Sequence, residues 1–242
     1  MPSQPPAAMS SKSASHAMKR TLVSWSSGKD CAWALHLLRE QPDIQIVGLL
    51  ATINAEFDRV AMHGTRRVIL EAQAAAADLP LWKVPLPWPC SNEIYEQCMA
   101  EICLRAADER IDAIAFGDLF LRDVRTYREK QLQPTGIEPL FPLWDIPTAE
   151  LARSMIKGGL RAKLVCVDSH QLDPVFAGRE FDTDLLGDLP SAVDPCGERG
   201  EFHSCVYDGP MFSGPVALEA GEIVDRDGFI YADFMLVVPF QS

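Results

Sequence analysis

The chain is predicted to fold as an α/β protein: a parallel sheet with helices on both faces, plus a smaller C-terminal α+β lobe. Short apolar runs alternate with helical stripes through the first 140 or so residues, and that rhythm then breaks. A length of 242 residues suits one large domain or two small ones. Parallel strands need crossovers, and a helix between successive strands supplies them.

The elements justify this in order. Thr21–Trp25 (TLVSW) is a short β-rich run ended by a Ser/Gly cluster. Lys29–Glu40 carries Trp33, Leu37 and Leu38 at helical spacing, and Pro42 stops it. Gln45–Thr52 is nearly all apolar, as a strand covered on both faces should be. Thr65–Leu79 puts Val68, Ala72, Ala75 and Leu79 on one stripe before Pro80, and Leu81–Leu86 is a third strand. Ser91 or Asn92 can cap a helix running to about Arg110. Asp112–Phe116 is a fourth strand ending in Gly117-Asp118, and Arg122–Gln133 reads as a helix.

Beyond residue 140 we expect a helix over Pro147–Lys157 stopped by Gly158-Gly159, and a strand over Arg161–Asp168. A loop-rich stretch from Gln171 to Pro215 follows, then strands near Ala217–Val224 and Phe229–Val238. The expected organisation is a disordered tail (1–18), a nucleotide-binding domain (19–140) and a C-terminal substrate-binding lobe (141–242).

Composition narrows the function. Hydrophobic residues make up 48% and charged residues 23%, so a chain of this size can bury a core without staples. The net charge is −12, from 22 Lys+Arg against 34 Asp+Glu, which disfavours a nucleic-acid partner. Seven cysteines without a CxxC pair, most in apolar segments, read as reduced intracellular thiols. The first 18 residues, rich in Ser, Ala and Pro, lack the apolar core of a secretory signal, and Met18 is a candidate start. The longest apolar run, Ile44 to Ile53, is too short to span a bilayer. The expectation is a cytoplasmic protein without a membrane partner.

The strongest local signal is Ser24-Trp25-Ser26-Ser27-Gly28-Lys29-Asp30-Cys31, between the first strand and the first helix. Ligands of open α/β sheets bind at the carboxyl ends of strands. Small residues there let backbone N–H groups approach an anion, and the helix N-terminus adds partial positive charge. Ser26 and Ser27 can donate hydroxyl hydrogen bonds and Lys29 supplies a full charge. Asp30 conflicts with a phosphate unless Mg²⁺ or an incoming amine or ammonia lies between. A Walker A loop is excluded by Val23 and Asp30, and G-x-G-x-x-G is absent from this turn. The alternative is an ordinary βα turn capped by Ser27 or Asp30.

SWSSGKDC resembles the S-G-G-x-D-S loop of the PP-loop ATP pyrophosphatases, the adenine-nucleotide α-hydrolase group. Within that group the chain resembles the diphthamide-synthesis branch, the diphthine–ammonia ligases. Met62-His63-Gly64, Phe116-Gly117-Asp118 and Asp194–His203 (DPCGERGEFH) also match, and the likeness covers residues 20–215. The resemblance implies a Rossmann-like, HUP-type sheet and ATP split to AMP and pyrophosphate. A carboxylate acceptor, a small molecule or a modified protein side chain, would be adenylated, and ammonia would then displace AMP. It also implies phosphate contacts from Ser24, Ser26, Ser27, Gly28, Lys29, Asp30 and Cys31. Gly117 and Asp118 would border the nucleotide, and Mg²⁺ would bridge its phosphates. Ser27 replaces the usual Gly and Cys31 the usual Ser. Ser27 is compatible with phosphate binding if its φ stays negative, while the Cys31 thiol is a weaker donor.

In Cys196-Gly-Glu198-Arg-Gly-Glu201-Phe-His203, two glycines three apart predict a tight, exposed turn displaying Glu198, Glu201 and His203 together. Such a cluster could bind ammonium, position an amine or act as general base. A solvated Gly-rich loop is the other reading. Zinc on Cys196, His203 and Cys205 matches no standard spacing, so no structural metal is expected. The relatives' pattern is G-E-G-G-E-[YF]-E-T, so His203 and Ser204 depart from it.

His63 is either a ligand neighbour or a cap for the following helix. Arg122, Arg125 and Arg128 form either an anion clamp or a solvated face. Trp33 and His36 read as packing residues, and His170 carries no signal. The leading function is therefore an AMP-forming amide ligase with Lys29, Asp30, Glu198, Glu201 and His203 as catalytic candidates. The alternatives are a PP-loop enzyme with another small-molecule acceptor and a non-catalytic adenine-nucleotide sensor. A homo-oligomer is compatible with either.

Overall fold

The computed structural model describes residues 18–60 and 63–237. Of the expected tail only Met18 falls within them; Met62 and Val238 lie outside. The first part of the chain runs β1 (Lys19–Ser24), α1 (Lys29–Arg39), β2 (Ile44–Asn54), β3 (Arg59–Val60), α2 (Arg67–Ala76), β4 (Leu81–Leu86), α3 (Asn92–Asp108), β5 (Ala113–Ala115), α4 (Arg122–Leu132) and β6 (Glu138–Leu140). The second part runs α5 (Thr148–Lys157), β7 (Arg161–Asp168), α6 (Thr183–Asp188), β8 (Phe202–Asp208), β9 (Leu218–Arg226) and β10 (Phe229–Leu236).

The first sheet has the parallel order β4-β2-β1-β5-β6. Antiparallel β3 adds to the end of β2, pairing Ile53 with Val60. β1 is central and buried on both faces: Leu22 joins a core beneath α3 and α4, and Val23 joins the larger core beneath α1 and α2. β4 alternates, burying Trp82, Val84 and Leu86 while exposing Lys83 and Pro85. A proline in a strand is tolerated at such an edge, where its missing N–H is not needed. This is the predicted Rossmann-like α/β architecture.

The second sheet is antiparallel in the order β8-β7-β10-β9. Its apolar residues Ala162, Leu164, Cys205, Val206 and Ile230 share one core with Val23, Leu35 and Leu70 of the first sheet's helical face. The two lobes are thus fused by burial. Gly158 permits this approach, since a Cβ there would lie 2.4 Å from the Trp33 ring.

Two features depart from the sequence reading. The stretch expected to be loop-rich contains α6 and the strand β8. Phe202, Ser204, Cys205 and Val206 of β8 are buried, and its partner β7 is about 40 residues earlier. The short strands β3 and β6 were also not anticipated, because two- and three-residue runs carry no periodicity. No helix among the described residues is long and apolar enough to cross a membrane.

Candidate active site

Next to β1, the sheet order steps to β2 on one side and β5 on the other. Loops leaving neighbouring strands in opposite directions open a crevice at their carboxyl ends. Residues 24–31 and 116–121 meet there, and the loop before β8 closes the cleft from the second lobe. Gly117 makes the meeting possible. A Cβ at that position would stand 2.8 Å from the Cys31 backbone nitrogen and 2.9 Å from the Asp30 carbonyl carbon.

The loop after β1 leads directly into α1. Gly28 is the N-cap and no side chain caps the helix, so capping by Ser27 or Asp30 is not what these residues do. Ala32 N donates to Gly28 O and Lys29 N donates to Ser204 Oγ at 3.1 Å. Ser24, Ser26, Lys29, Asp30 and Cys31 line the cleft.

Ser27 corrects the sequence reading twice. Its φ is +69°, the left-handed region where a usual loop glycine would sit at little cost. Its hydroxyl points away from the cleft and donates to Thr65 Oγ1 at 2.8 Å. Val206 N and Gln73 Nε2 both donate to the Ser27 carbonyl, at 2.9 and 3.1 Å. Gln73 also donates to Val206 O and accepts the Trp25 indole N–H. This fully buried glutamine, which the sequence did not single out, locks the loop to both lobes. Cys31 spends its thiol on Gly28 O, and burial pushes it up to about 11, so it is an inert packing group.

Lys29 is 2% exposed. Its ammonium donates to Asp30 Oδ2 at 2.9 Å and to Cys196 O, and lies 5.5 and 5.4 Å from the Phe181 and Phe202 rings. Burial opposes that charge, but Asp30 together with Cys196 and Glu198 outweighs it and raises the Lys29 pKa. The cation expected between Asp30 and a phosphate is thus partly supplied by the neighbouring lysine. Asp30 Oδ1 is buried and, among the described residues, has no hydrogen-bond partner.

The Cys196–His203 loop is not the exposed turn the sequence predicted: Cys196, Glu201 and Phe202 are at most 2% exposed. Glu201 accepts the backbone amides of Asp194 and Arg199 at 2.8 and 2.9 Å and does not line the cleft. Its catalytic assignment therefore gives way to a bracing one. Asp194, missed from sequence, shares that task by accepting from Cys196 N and Thr148 Oγ1. Gly197 has φ +69° and no room for a Cβ beside Phe202 O.

Glu198 and His203 do line the cleft. Glu198 Oε1 accepts the Leu119 amide at 2.9 Å. Burial pushes the Glu198 carboxyl up to about 7; Asp30 and Asp118 add to this and the Leu119 amide counteracts it. His203 faces His63, with ring centroids 4.5 Å apart. Burial and then Lys29 push His203 down to about 4, and burial with His203 lowers His63. Both imidazoles are neutral at pH 7. His63 is no helix cap, since Arg66 takes that position on α2.

Of the three arginines on α4, only Arg128 reaches the cleft, 3.4 Å from Asp118 and stacked over Phe116. Arg125 pairs with Glu129 and covers Phe141 and Trp144, while Arg122 is exposed. Leu121 and Val124 supply an apolar wall that the sequence did not reveal. Among the described residues no group of three or more His, Cys, Asp or Glu could hold a metal ion. The donor set instead suits Mg²⁺, which keeps its waters and binds through one or two carboxylates and substrate phosphates. Asp30 Oδ1, short of a partner, is the atom available to it.

Residues 147–231 match the family profile described as the diphthamide synthase C-terminal domain. Diphthine–ammonia ligases of Bos taurus and Homo sapiens are each 24% identical over 178 residues, covering 67% of this chain and 67% of each relative. The diphthine–ammonia ligase of Schizosaccharomyces pombe is 28% identical over 120 residues, covering 48% of this chain but 20% of that longer protein.

Proposed function

We propose that this chain, a member of the diphthine–ammonia ligase branch of the PP-loop ATP pyrophosphatases, amidates a carboxylate at the expense of ATP, releasing AMP and pyrophosphate. The observation that carries the reading is Asp30: a buried carboxylate, half paired to Lys29 and half unpartnered, at an uncapped helix N-terminus. Lys29 N is already taken by Ser204 Oγ, and the other backbone donors of that first turn suit phosphate oxygens. Mg²⁺, held through Asp30 and the phosphates, would supply charge neutralisation at the leaving pyrophosphate.

The residues then have distinct tasks. Lys29, kept protonated by Asp30, stabilises the negative charge that grows on pyrophosphate as the acceptor carboxylate attacks the α-phosphorus. Ser24 and Ser26 donate to phosphate oxygens, and Gly117 with Asp118 borders the nucleotide. The attack makes an acyl–phosphate bond and breaks the bond to pyrophosphate. Ammonia then attacks the acyl carbon and AMP leaves. Ammonium must shed a proton before it can attack, and Glu198, poised near neutrality, accepts it. His63 and His203, both neutral, offer lone pairs to the incoming nitrogen without repelling it.

The acceptor named by the relatives, diphthine, is the first to test. The protein is incubated with α-labelled ATP, Mg²⁺, ammonium and a diphthine-bearing protein, with Asp30→Ala as control. AMP formed in proportion to amide, and absent from the control, is the expected result. ADP in place of AMP, or equal AMP from Asp30→Ala, overturns the reading.

A further inference from the structure

A second cleft, about 710 Å³ in volume, opens between the lobes. One wall comes from β2, β3 and the loop after β4, the other from β9 and β10. That volume lies in the range of small-molecule sites. None of the tasks described so far uses it.

Its outer end carries Phe57 and Trp88, which are 47% and 59% exposed. They come from two different loops yet meet edge to face, with centroids 5.8 Å apart. Aromatic rings of this size are normally covered, and a pair left open in a concave site marks a surface for a flat or apolar ligand.

Its inner end carries two guanidinium groups on one carboxylate. Arg59 Nη1 donates to Asp233 Oδ1 at 2.8 Å, and Arg66 Nε donates to both Asp233 oxygens at 3.1 Å. The two guanidinium groups share one carboxylate, so several of their N–H donors remain for a further carboxylate; the other charges on the lining are Arg226, Glu222 and Asp227. This corner adjoins the nucleotide cleft. Arg59 Nη1 also donates to Gly64 O at 2.7 Å, and Gly64 packs on Tyr231 inside the second cleft. The preceding residue, His63, lines the nucleotide cleft instead.

We propose that this cleft binds a ligand with a flat ring or comparable apolar body and a carboxylate distinct from the one that is adenylated. The body rests on Phe57 and Trp88, and the carboxylate is held at Arg59 and Arg66, beside the nucleotide cleft. As a binding site for ring-bearing carboxylates it stands independently of the ligase reading.

The test uses the full chain without nucleotide, with hippurate as probe and its neutral amide as control, followed by calorimetry. Hippurate is expected to bind and the amide to fail. Phe57→Ala and Arg66→Met are each expected to weaken hippurate by about tenfold, the loss of one good contact, with circular dichroism verifying the fold of each. No hippurate binding, equal binding of the amide, or affinity unchanged in both variants would overturn the proposal. AMP formation is measured on the same preparation. AMP without hippurate binding sinks the cleft alone, and hippurate binding without AMP sinks the ligase reading and leaves the cleft standing.

Discussion

Lys29 and Asp30, adjacent on the first turn of α1, form an ion pair of 2.9 Å and both line the candidate cleft. Neighbouring helical residues point about 100° apart, so the pair needs the reach of the long lysine side chain, whose ammonium lies over the Phe181 and Phe202 rings. Removing either partner leaves the other charge buried. Lys29→Met should therefore abolish AMP formation and lower stability by about 3 kcal/mol, read by chemical unfolding. Unchanged stability would show that Asp30 is solvated and that the pair is not a structural unit.

Ser27 sits at φ +69° with its hydroxyl on Thr65. Ser27→Gly removes about 1 kcal/mol of backbone strain and about 1 kcal/mol of hydrogen bonding, and should be close to neutral. Ser27→Val keeps the strain, adds a branched Cβ and loses the hydroxyl, and should cost about 2 kcal/mol or more. Thermal unfolding of the two variants separates them; equal losses would contradict the strain argument.

Gly117 allows no side chain, because the obstructing atoms are the Asp30 and Cys31 backbone. Gly117→Ala should push the two loops apart and weaken nucleotide binding by about tenfold. Fluorescent-nucleotide titration would show it, and wild-type affinity would mean that the loops can separate freely.

Glu198 has its carboxyl pushed up to about 7, mainly by burial. As the proton acceptor it should make amidation rise with pH and level off above about 7. Glu198→Gln should flatten that limb while still binding ATP. Stability should run the opposite way. A raised folded pKa binds the proton more tightly than the unfolded chain does, so this contribution is complete below about 4.5 and is lost as pH rises through 7. The wild type should therefore lose stability relative to Glu198→Gln across that window, measured by urea unfolding at each pH.

Asp233 joins the lobes by accepting from Arg59 and Arg66, and those partners outweigh its burial to hold it down at about 2. A depressed carboxylate stabilises above its unfolded pKa near 4 and loses that contribution as pH falls towards 2. Asp233→Asn should cost about 2 kcal/mol at pH 7. The gap to wild type should narrow below pH 4, as thermal melts at pH 7 and pH 3 would reveal.

The α/β class, the position of the Ser24–Cys31 loop between β1 and α1, and the candidacy of Lys29, Asp30, Gly117 and Glu198 are legible in the sequence. These are local matters: apolar period, the position of small residues after a strand, and residue types held within a few positions. Tertiary structure alone decided which of those side chains share a cleft. Glu201 lies three residues from Glu198, yet it turns inward to brace the Asp194 and Arg199 amides. Ser27 lies between Ser26 and Gly28, yet its hydroxyl faces Thr65, because its φ is set by Gln73 and Val206 holding its carbonyl. β8 was illegible for the same reason: its partner is distant in sequence and its burial comes from the core the two lobes share. Side-chain direction in an irregular loop, and the burial that tunes Glu198 and His203, depend on contacts such as Ser27 with Thr65 and Glu198 with Leu119, between elements that only the fold brings together.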